Sequence, residues 1–182
     1  MSLLTRFDET GGTAELQTDD GTAIAAAMAP IGVRFERWPL RELPDAASGD
    51  DVIDAYAPEI TRLKAEGGYQ SVDVVRMLPD NPNRAEVRTK FLDEHRHSED
   101  EVRFFVEGEG LFTLHAAGKV HALLCTAGDL ISVPAGMPHW FDMGPSPRFT
   151  AIRLFVNPDG WIADFTGDDI AQRFPRHEPA AA

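Results

Sequence analysis

The stretch Phe91-Leu92-Asp93-Glu94-His95-Arg96-His97-Ser98-Glu99-Asp100-Glu101 limits the fold more than any other part of this chain. Two histidines two positions apart share a face only where the backbone is extended, because strand side chains alternate sides. In a strand, His95 and His97 would stand about 7 Å apart along the chain on one side. Ser98-Glu99-Asp100 is polar and turn-prone, so the chain is expected to reverse there and start a second strand at Glu101. Two imidazoles and a carboxylate converging on one point are ligands for a first-row metal. His139, directly after Pro134-Ala135-Gly136-Met137-Pro138, is a candidate fourth ligand. The plainer alternative is a chance His-x-His pair beside a solvated acidic run. The flanks favour the metal. Glu101 heads an apolar run that ends at Gly108, and Gly128-Asp129-Leu130-Ile131-Ser132-Val133-Pro134 repeats the order of glycine, apolar strand and turn before His139.

Three imidazoles and one carboxylate leave two positions open on an octahedral ion. A structural zinc site would be closed by four ligands. No His-Glu-x-x-His occurs, so a zinc peptidase is not supported. Counting by two from Glu101 puts Arg103 and Phe105 on its face and Val102, Phe104 and Val106 on the other. A guanidinium aimed into a barrel is costly unless paired with an anion. Arg103 is therefore either ion-paired with Glu99 or another acid, or a clamp for an anionic substrate. Arg153, central in Phe149-Thr150-Ala151-Ile152-Arg153-Leu154-Phe155, is the same anomaly on a second strand. His115 and His121 flank a turn and are expected to be exposed, and His177 lies in a polar tail. Trp140, Phe141 and Trp161 read as core aromatics, with Phe141 placed to wall a pocket.

At 182 residues and 43% apolar content, the chain suits one domain with a sizeable core. The net charge of -13 argues against nucleic acid or an anionic membrane as partner, and makes local arginines necessary for any anionic substrate. The single cysteine, Cys125, excludes an intramolecular disulfide and reads as a buried strand thiol. No apolar run is long enough to span a membrane, and the N-terminus turns charged too early for a secretory signal, so a cytoplasmic location is expected.

The element order suits an α+β, mainly β chain. Ala14 to Thr18 is a short strand, and Asp19 or Asp20 caps a helix through Ala29. Gly32 to Trp38 alternates as a strand. Asp50 or Asp51 caps a helix with Val52, Ile53, Tyr56, Ile60 and Leu63 on one stripe, kinked or split by Pro58 and ended by Gly67-Gly68. Ser71 to Leu78 is a strand, and Arg84 to about Phe91 a short helix. Strands follow near His95–His97, Glu101–Val106, Leu111–His115, His121–Cys125, Asp129–Val133, Trp140–Asp142 and Phe149–Val156. Hairpin turns are expected at Gly108-Glu109-Gly110 and Ala117-Gly118-Lys119. A helical turn is expected near Asp168–Arg173. Many short strands with the helices kept N-terminal suit a small β-barrel or jelly roll.

The two-part pattern around His95 and His139 resembles the signature of the cupin superfamily. His-x-His-x3-Glu-x6-Gly is matched in full, although Thr89 stands where a glycine is usual and Met143 where an asparagine is sometimes seen. The resemblance is closer still to acireductone dioxygenases. It runs through residues 91–108, Pro134-Ala135-Gly136-Met137-Pro138-His139-Trp140-Phe141-Asp142-Met143-Gly144, Arg153-Leu154-Phe155, Gly160-Trp161 and Gly32-Val33-Arg34-Phe35-Glu36-Arg37-Trp38. Arg96 stands where relatives often have threonine, on the face away from the ligands.

The resemblance implies a single cupin domain over 1–182, a jelly-roll barrel with N-terminal helices packed outside. Its metal-binding core would be roughly 71–160, its additions 14–67, and 174–182 a frayed tail. It implies a monomeric enzyme of methionine salvage holding one Fe2+ or Ni2+ on His95, His97, Glu101 and His139. The substrates would be 1,2-dihydroxy-5-(methylthio)pent-1-en-3-one and O2. Iron would give formate and 4-methylthio-2-oxobutanoate; nickel would give formate, carbon monoxide and 3-methylthiopropanoate. Arg103 would help form the substrate dianion, Glu94 would assist metal incorporation and Asp100 would relay conformational change. Arg103, Arg153, Phe91 and Phe141 would contact substrate. A metal-dependent sugar-phosphate isomerase and a non-enzymatic ligand-binding cupin are the alternatives.

Overall fold

The structure, a computed structural model, describes residues 1–44, 46–157 and 162–178. One strand organises the others: β6 runs from Glu101 to Ala116. Its first half pairs antiparallel with β8 (Asp129–Val133) and β10 (Phe149–Phe155). Its second half pairs antiparallel with β7 (Lys119–Thr126) and β9 (His139–Asp142). On the first side, β3 (Arg34–Arg37) extends β8, and β4 (Ser71–Met77) extends β10. On the second side, β1 (Leu3–Asp8) and β2 (Leu16–Thr18) lie beyond β7. Beyond β9 lie β5 (His95–Arg96) and β11 (Asp164–Phe165). Every pairing is antiparallel, and the two halves enclose one apolar cluster between them, the cupin-type barrel expected.

The alternation along β6 sorts the core. Phe105, Phe112 and Leu114 join the inner cluster with Leu4, Phe35, Leu123, Ile131, Phe141 and Phe149. Val102, Phe104 and Val106 face outward. There they are covered by α2 (Gly49–Ala55) and α3 (Ala57–Gly67) through Val52, Tyr56, Ile60 and Leu63, and by Trp38, whose ring stacks on Phe104 at 4.5 Å. Pro58, in the first turn of α3, accompanies the expected split of this helical stripe. The cap is Ser48 rather than Asp50 or Asp51; Asp51 is the reciprocal partner in a capping box. The first helix, α1 (Gly21–Met28), is capped by Asp20 as expected. It is not purely an outer addition, because Ile24 and Met28 join the inner cluster.

Three expectations are corrected. Gly108-Glu109-Gly110 does not reverse the chain. Val106 is the extra residue of a bulge opposite β10, between the pairs Phe105–Ala151 and Glu107–Thr150. Gly108 takes φ 76°, so the strand coils from one sheet into the other instead of turning back. The hairpin at Ala117-Gly118 does form, with φ of 54° and 71°, the positive pair of a type I′ turn. The N-terminal strand β1 was not anticipated; Leu4 is fully buried and Ser2 donates to the buried Asp129, so the barrel extends outside residues 71–160. The tail is docked, not frayed, as far as His177. Ile170, Ala171 and Phe174 pack on Trp140 and Val120, and the His177 N–H donates to Asp142 at 3.0 Å. Residues 179–182 lie outside the described part.

Two histidines expected at the surface are also relocated. His121 is 3% exposed, because it faces inward opposite Leu114. His115 is half-buried between Glu94 and Glu9. Cys125 is buried as expected.

The bulge gives a testable contrast between two glycines. A Cβ at Gly108 would lie 1.8 Å from the Arg148 carbonyl oxygen, whereas one at Gly118 meets nothing closer than 4.0 Å. Gly118→Ala should therefore cost only the left-handed backbone penalty, about 1 kcal/mol. Gly108→Ala should cost about 3 kcal/mol or more, since backbone must move. Urea denaturation of both variants measures the difference, and equal losses would contradict this account of the bulge.

Candidate metal centre and adjoining cavity

The barrel brings the expected side chains together. His95 on β5 is the direct cross-strand partner of His139 on β9. His97 follows on the same face of the chain. The ligating nitrogens of His95, His97 and His139 all lie within 4.8 Å of one another, and all three residues are buried. Glu101, the first residue of β6, turns its carboxylate into the same group. Its Oε2 lies 2.9 Å from His139 Nε2 and 3.4 Å from His97 Nε2. Two loops are tied so that these residues converge. The Gly136 N–H donates to the His97 carbonyl at 2.8 Å, and the Ala135 N–H to Asp100 at 2.9 Å.

The hydrogen bonds of the imidazoles decide what this group can hold. His95 Nδ1 meets the Asp93 carbonyl at 2.8 Å, His139 Nδ1 the Met137 carbonyl at 2.8 Å and His97 Nδ1 the Ile162 carbonyl at 3.3 Å. A carbonyl only accepts, so each Nδ1 carries the proton and a neutral ring presents its lone pair at Nε2. For His139 that lone pair faces a carboxylate oxygen. Two acceptors 2.9 Å apart repel unless a proton or a metal ion lies between them. Adjacent ligands roughly 2.1 Å from an octahedral ion are roughly 3 Å apart, so the spacing suits a divalent metal. The three converging imidazoles thus fit such an ion, with the Glu101 carboxylate beside two of them.

The electrostatics agree. Burial, with the neighbouring His139, pulls the His95 pKa down to about 4, so its ring is neutral and free to ligate at physiological pH. Burial pushes the Glu101 carboxyl up most strongly, but the Arg103 guanidinium and the His139 and His97 rings together outweigh it and hold the carboxyl well below the usual carboxylate range. Arg103 Nη2 lies 2.9 Å from Glu101 Oε1. Arg103 therefore pairs with the ligand-type carboxylate on its own strand rather than with Glu99.

A cavity of about 250 Å³ opens beside this cluster. His97 and Arg103 form its deep wall. Phe91, Phe141 and Arg153, all expected to contact substrate, line it too. The guanidinium carbon of Arg103 sits 4.7 Å from the Phe141 ring centroid, which fixes the cation over an aromatic face. Arg153 is less simple than expected: Asp73 on β4 grips it through two bonds of 2.8 and 2.6 Å. Val75, Met77, Met143 and Phe149 complete the apolar lining, and the reading of the sequence did not single them out for it. The signal was present, since each is a period-two neighbour of Asp73, Phe141 or Arg153 on its strand or just past it. Val87 and Lys90 come from α4 (Arg84–Phe91), on the helical face shared with Phe91.

Glu94 and Asp100 are not ordinary surface carboxylates. Glu94 is 4% exposed and accepts from Thr166 at 2.7 Å, while its other oxygen meets His115 Nδ1 at 2.8 Å. It does not line the cavity. Asp100 joins the loop before Glu101 to the loop before His139 through Ala135, and accepts from Tyr69 at 3.3 Å. Gly160 and Trp161 lie outside the described residues.

Comparison with known proteins places this geometry. The model of the ARD/ARD' family matches residues 8–163. An acireductone dioxygenase of Alcanivorax borkumensis is 60% identical over 170 residues, covering 93% of this chain and 94% of that protein. One from Stenotrophomonas maltophilia is 55% identical over 184 residues, covering all of both. Among solved structures, acireductone dioxygenase from Bacillus anthracis with a cadmium ion in its active centre superposes with a TM-score of 0.79 at 27% identity. That match covers 91% of this chain and 98% of the other.

Replacing any of the four side chains should empty the site without unfolding the barrel, whose core is apolar strand residues. His95→Ala, His97→Ala, Glu101→Ala and His139→Ala should each lose most bound metal while far-UV circular dichroism stays native. Metal analysis after purification is the check, and full occupancy in His139→Ala would remove that residue from the set.

Proposed function

This chain belongs to the acireductone dioxygenase (ARD/ARD') family, and from that premise we propose how its residues perform the reaction. The substrate would be 1,2-dihydroxy-5-(methylthio)pent-1-en-3-one. With Fe2+ the products would be formate and 4-methylthio-2-oxobutanoate; with Ni2+, formate, carbon monoxide and 3-methylthiopropanoate. His95, His97, Glu101 and His139 would hold the ion, one per chain. The observation that carries this reading is the close approach of His139 Nε2 and Glu101 Oε2 at 2.9 Å in a buried site walled by a cationic, otherwise apolar cavity.

When bound, the divalent ion would supply Lewis acidity toward a deprotonated ene-diol and its oxygen. The chain's own residues would do the rest. Arg103 lowers the cost of a doubly deprotonated substrate by placing a fixed positive charge beside it. Its bond to Glu101 and its seat over Phe141 fix the guanidinium before substrate arrives. Phe91, Met77, Met143 and Phe149 give the methylthioethyl tail an apolar wall and keep water from the reacting carbons. The same wall argues against a sugar phosphate, which would need hydrogen-bonding partners for its hydroxyls.

We also read the chain as one cupin domain acting as a monomer in the cytoplasm, in methionine salvage. Among the described residues no helix is long and apolar enough to cross a membrane. Glu94 would support metal incorporation by fixing the backbone next to His95, and Asp100 would couple the two ligand loops through Ala135.

Arg103→Ala should retain metal, because guanidinium is not a ligand, yet fail to give the absorption shift of the deprotonated ene-diol under anaerobic mixing. Arg103→Lys should be impaired too, since an ammonium cannot reproduce the planar fork. A normal spectrum in Arg103→Ala would reduce the residue to a structural role.

The metal, rather than the chain, should select the products. Imidazole and carboxylate accept both ions, and Ni2+ usually binds such sites more tightly, so occupancy follows supply. One apo preparation reloaded separately should release carbon monoxide with Ni2+ and not with Fe2+, measured by gas analysis under matched turnover. Equal yields from the two forms would refute it.

A further inference from the structure

We propose that Lys90, at the rim of the cavity, draws the anionic substrate in and helps bind it. The charges around the cavity carry this inference. Among the described residues its lining holds Arg103, Arg153, Lys90 and His97 and no carboxylate, in a chain whose net charge is -13. Two of the three cations are committed to acids behind the wall, Arg103 to Glu101 at 2.9 Å and Arg153 to Asp73 at 2.6 Å. Lys90 has no carboxylate partner among the described residues. Its ammonium stands 5.4 Å from the centroid of the Phe91 ring, itself part of the lining. Lys90 is thus an exposed wall cation that makes no ion pair among the described residues, its nearest acid along the helix being Glu86 one turn earlier.

The placement is fixed from outside the cavity. α4 buries none of its residues fully, so apolar packing alone does not hold it. Arg88, two residues before Lys90, grips the buried Asp142 through Nε at 2.7 Å and Nη2 at 3.0 Å. Arg176 of the docked tail donates to the Leu92 carbonyl at 2.9 Å, just past the end of the helix. These bonds press the Val87, Lys90 and Phe91 face of α4 against the cavity.

The inference rests on the proposed substrate. An ene-diol conjugated to a carbonyl is a vinylogous acid and is an anion at neutral pH, so an unpaired cation at the mouth attracts it before any metal contact. A charge of this kind acts equally on bound substrate and transition state. Its loss should raise KM and leave kcat nearly unchanged.

The test uses metal-loaded full-length protein. Lys90→Gln should lower kcat/KM about fivefold at low salt, the factor that one exposed unit charge supplies at contact in water. The deficit should vanish between about 0.01 M and about 1 M salt, as the Debye length falls from roughly 30 Å to roughly 3 Å. Lys90→Arg should retain wild-type behaviour. Lys64→Gln, on α3 and away from the lining, controls for net charge and should change nothing. A Lys90→Gln enzyme equal to wild type at low salt overturns the proposal. So does a loss in kcat that salt does not remove, which would mark a structural role in α4, or an equal loss in Lys64→Gln. A second arm separates this proposal from the assigned reaction. Zinc-loaded protein is titrated calorimetrically with 3-methylthiopropanoate, a carboxylate with the same tail. Weaker binding by Lys90→Gln at low salt supports the anion site even where wild type fails to turn over the ene-diol, which would overturn the reaction alone. No difference, or no binding by wild type, overturns the site.

Discussion

The buried carboxylate of Glu101 is the constraint on which the interior depends. At 3% exposure it would be prohibitively costly as an isolated ion. Its two oxygens are divided among three partners. One faces Arg103, and the other faces His97 and His139. Because Glu101 and Arg103 are two apart on one strand, any register that buries the carboxylate also buries the guanidinium. Arg103 in turn needs aromatic faces rather than water around it, which Phe112 and Phe141 supply at 5.4 and 4.7 Å. A polar site and its apolar support are thereby specified by the same few positions of β6.

That strand also explains why the ligands are rigid. Residues far apart in sequence meet because β6 pairs with β8 and β10 before the bulge and with β7 and β9 after it. β9 carries His139 and hands its register to β5, which carries His95. Three of the four candidate ligands, His95, Glu101 and His139, thus stand on strands, and His97 directly follows one. The softer parts are at the margins, in β11 and in α4, where side-chain bonds to Glu94 and Asp142 do the fastening.

Part of the candidate site was legible in the sequence because strand alternation is a local rule. His95 and His97 share a face by counting, as do Glu101 and Arg103. The turn that joins the two pairs was read from the polar Ser98-Glu99-Asp100, and the addition of His139 from the repeated motif and the family resemblance. Gly108 shows where the local rule fails. Gly-Glu-Gly reads as a reversal, yet the same positive φ serves a bulge when a neighbouring strand, here β10, continues the pairing. The short β1 was hidden for a similar reason, since three apolar residues gain a strand only when the edge of β7 is offered to them. His121 was misplaced because polar identity was taken for exposure, whereas β7 turns it inward, and the tail read as frayed is held where Asp142 accepts from the His177 N–H. Arg153 was left without a named ion-pair partner because Asp73 sits on a strand about eighty residues earlier, a separation that no periodicity reveals.

The distribution of charge completes the account. A net charge of -13 should repel an anionic substrate, yet long-range repulsion is weak in the cell, where the Debye length is about 8 Å. An approaching molecule therefore responds to the wall nearest it. The acids on the outer helical side, such as Asp50, Asp51 and Asp54 of α2, stand behind the sheet that Val102 and Phe104 cover. At the cavity the order is reversed, with guanidinium groups facing inward and the carboxylates of Asp73 and Glu101 set behind them. The pairing that makes buried arginines tolerable also reduces the field they project. A wall made only of such pairs would position an anion without attracting it. Attraction requires at least one cation left outside the pairing, and solvent exposure makes that affordable for an ammonium at the rim but not for a guanidinium in the depth.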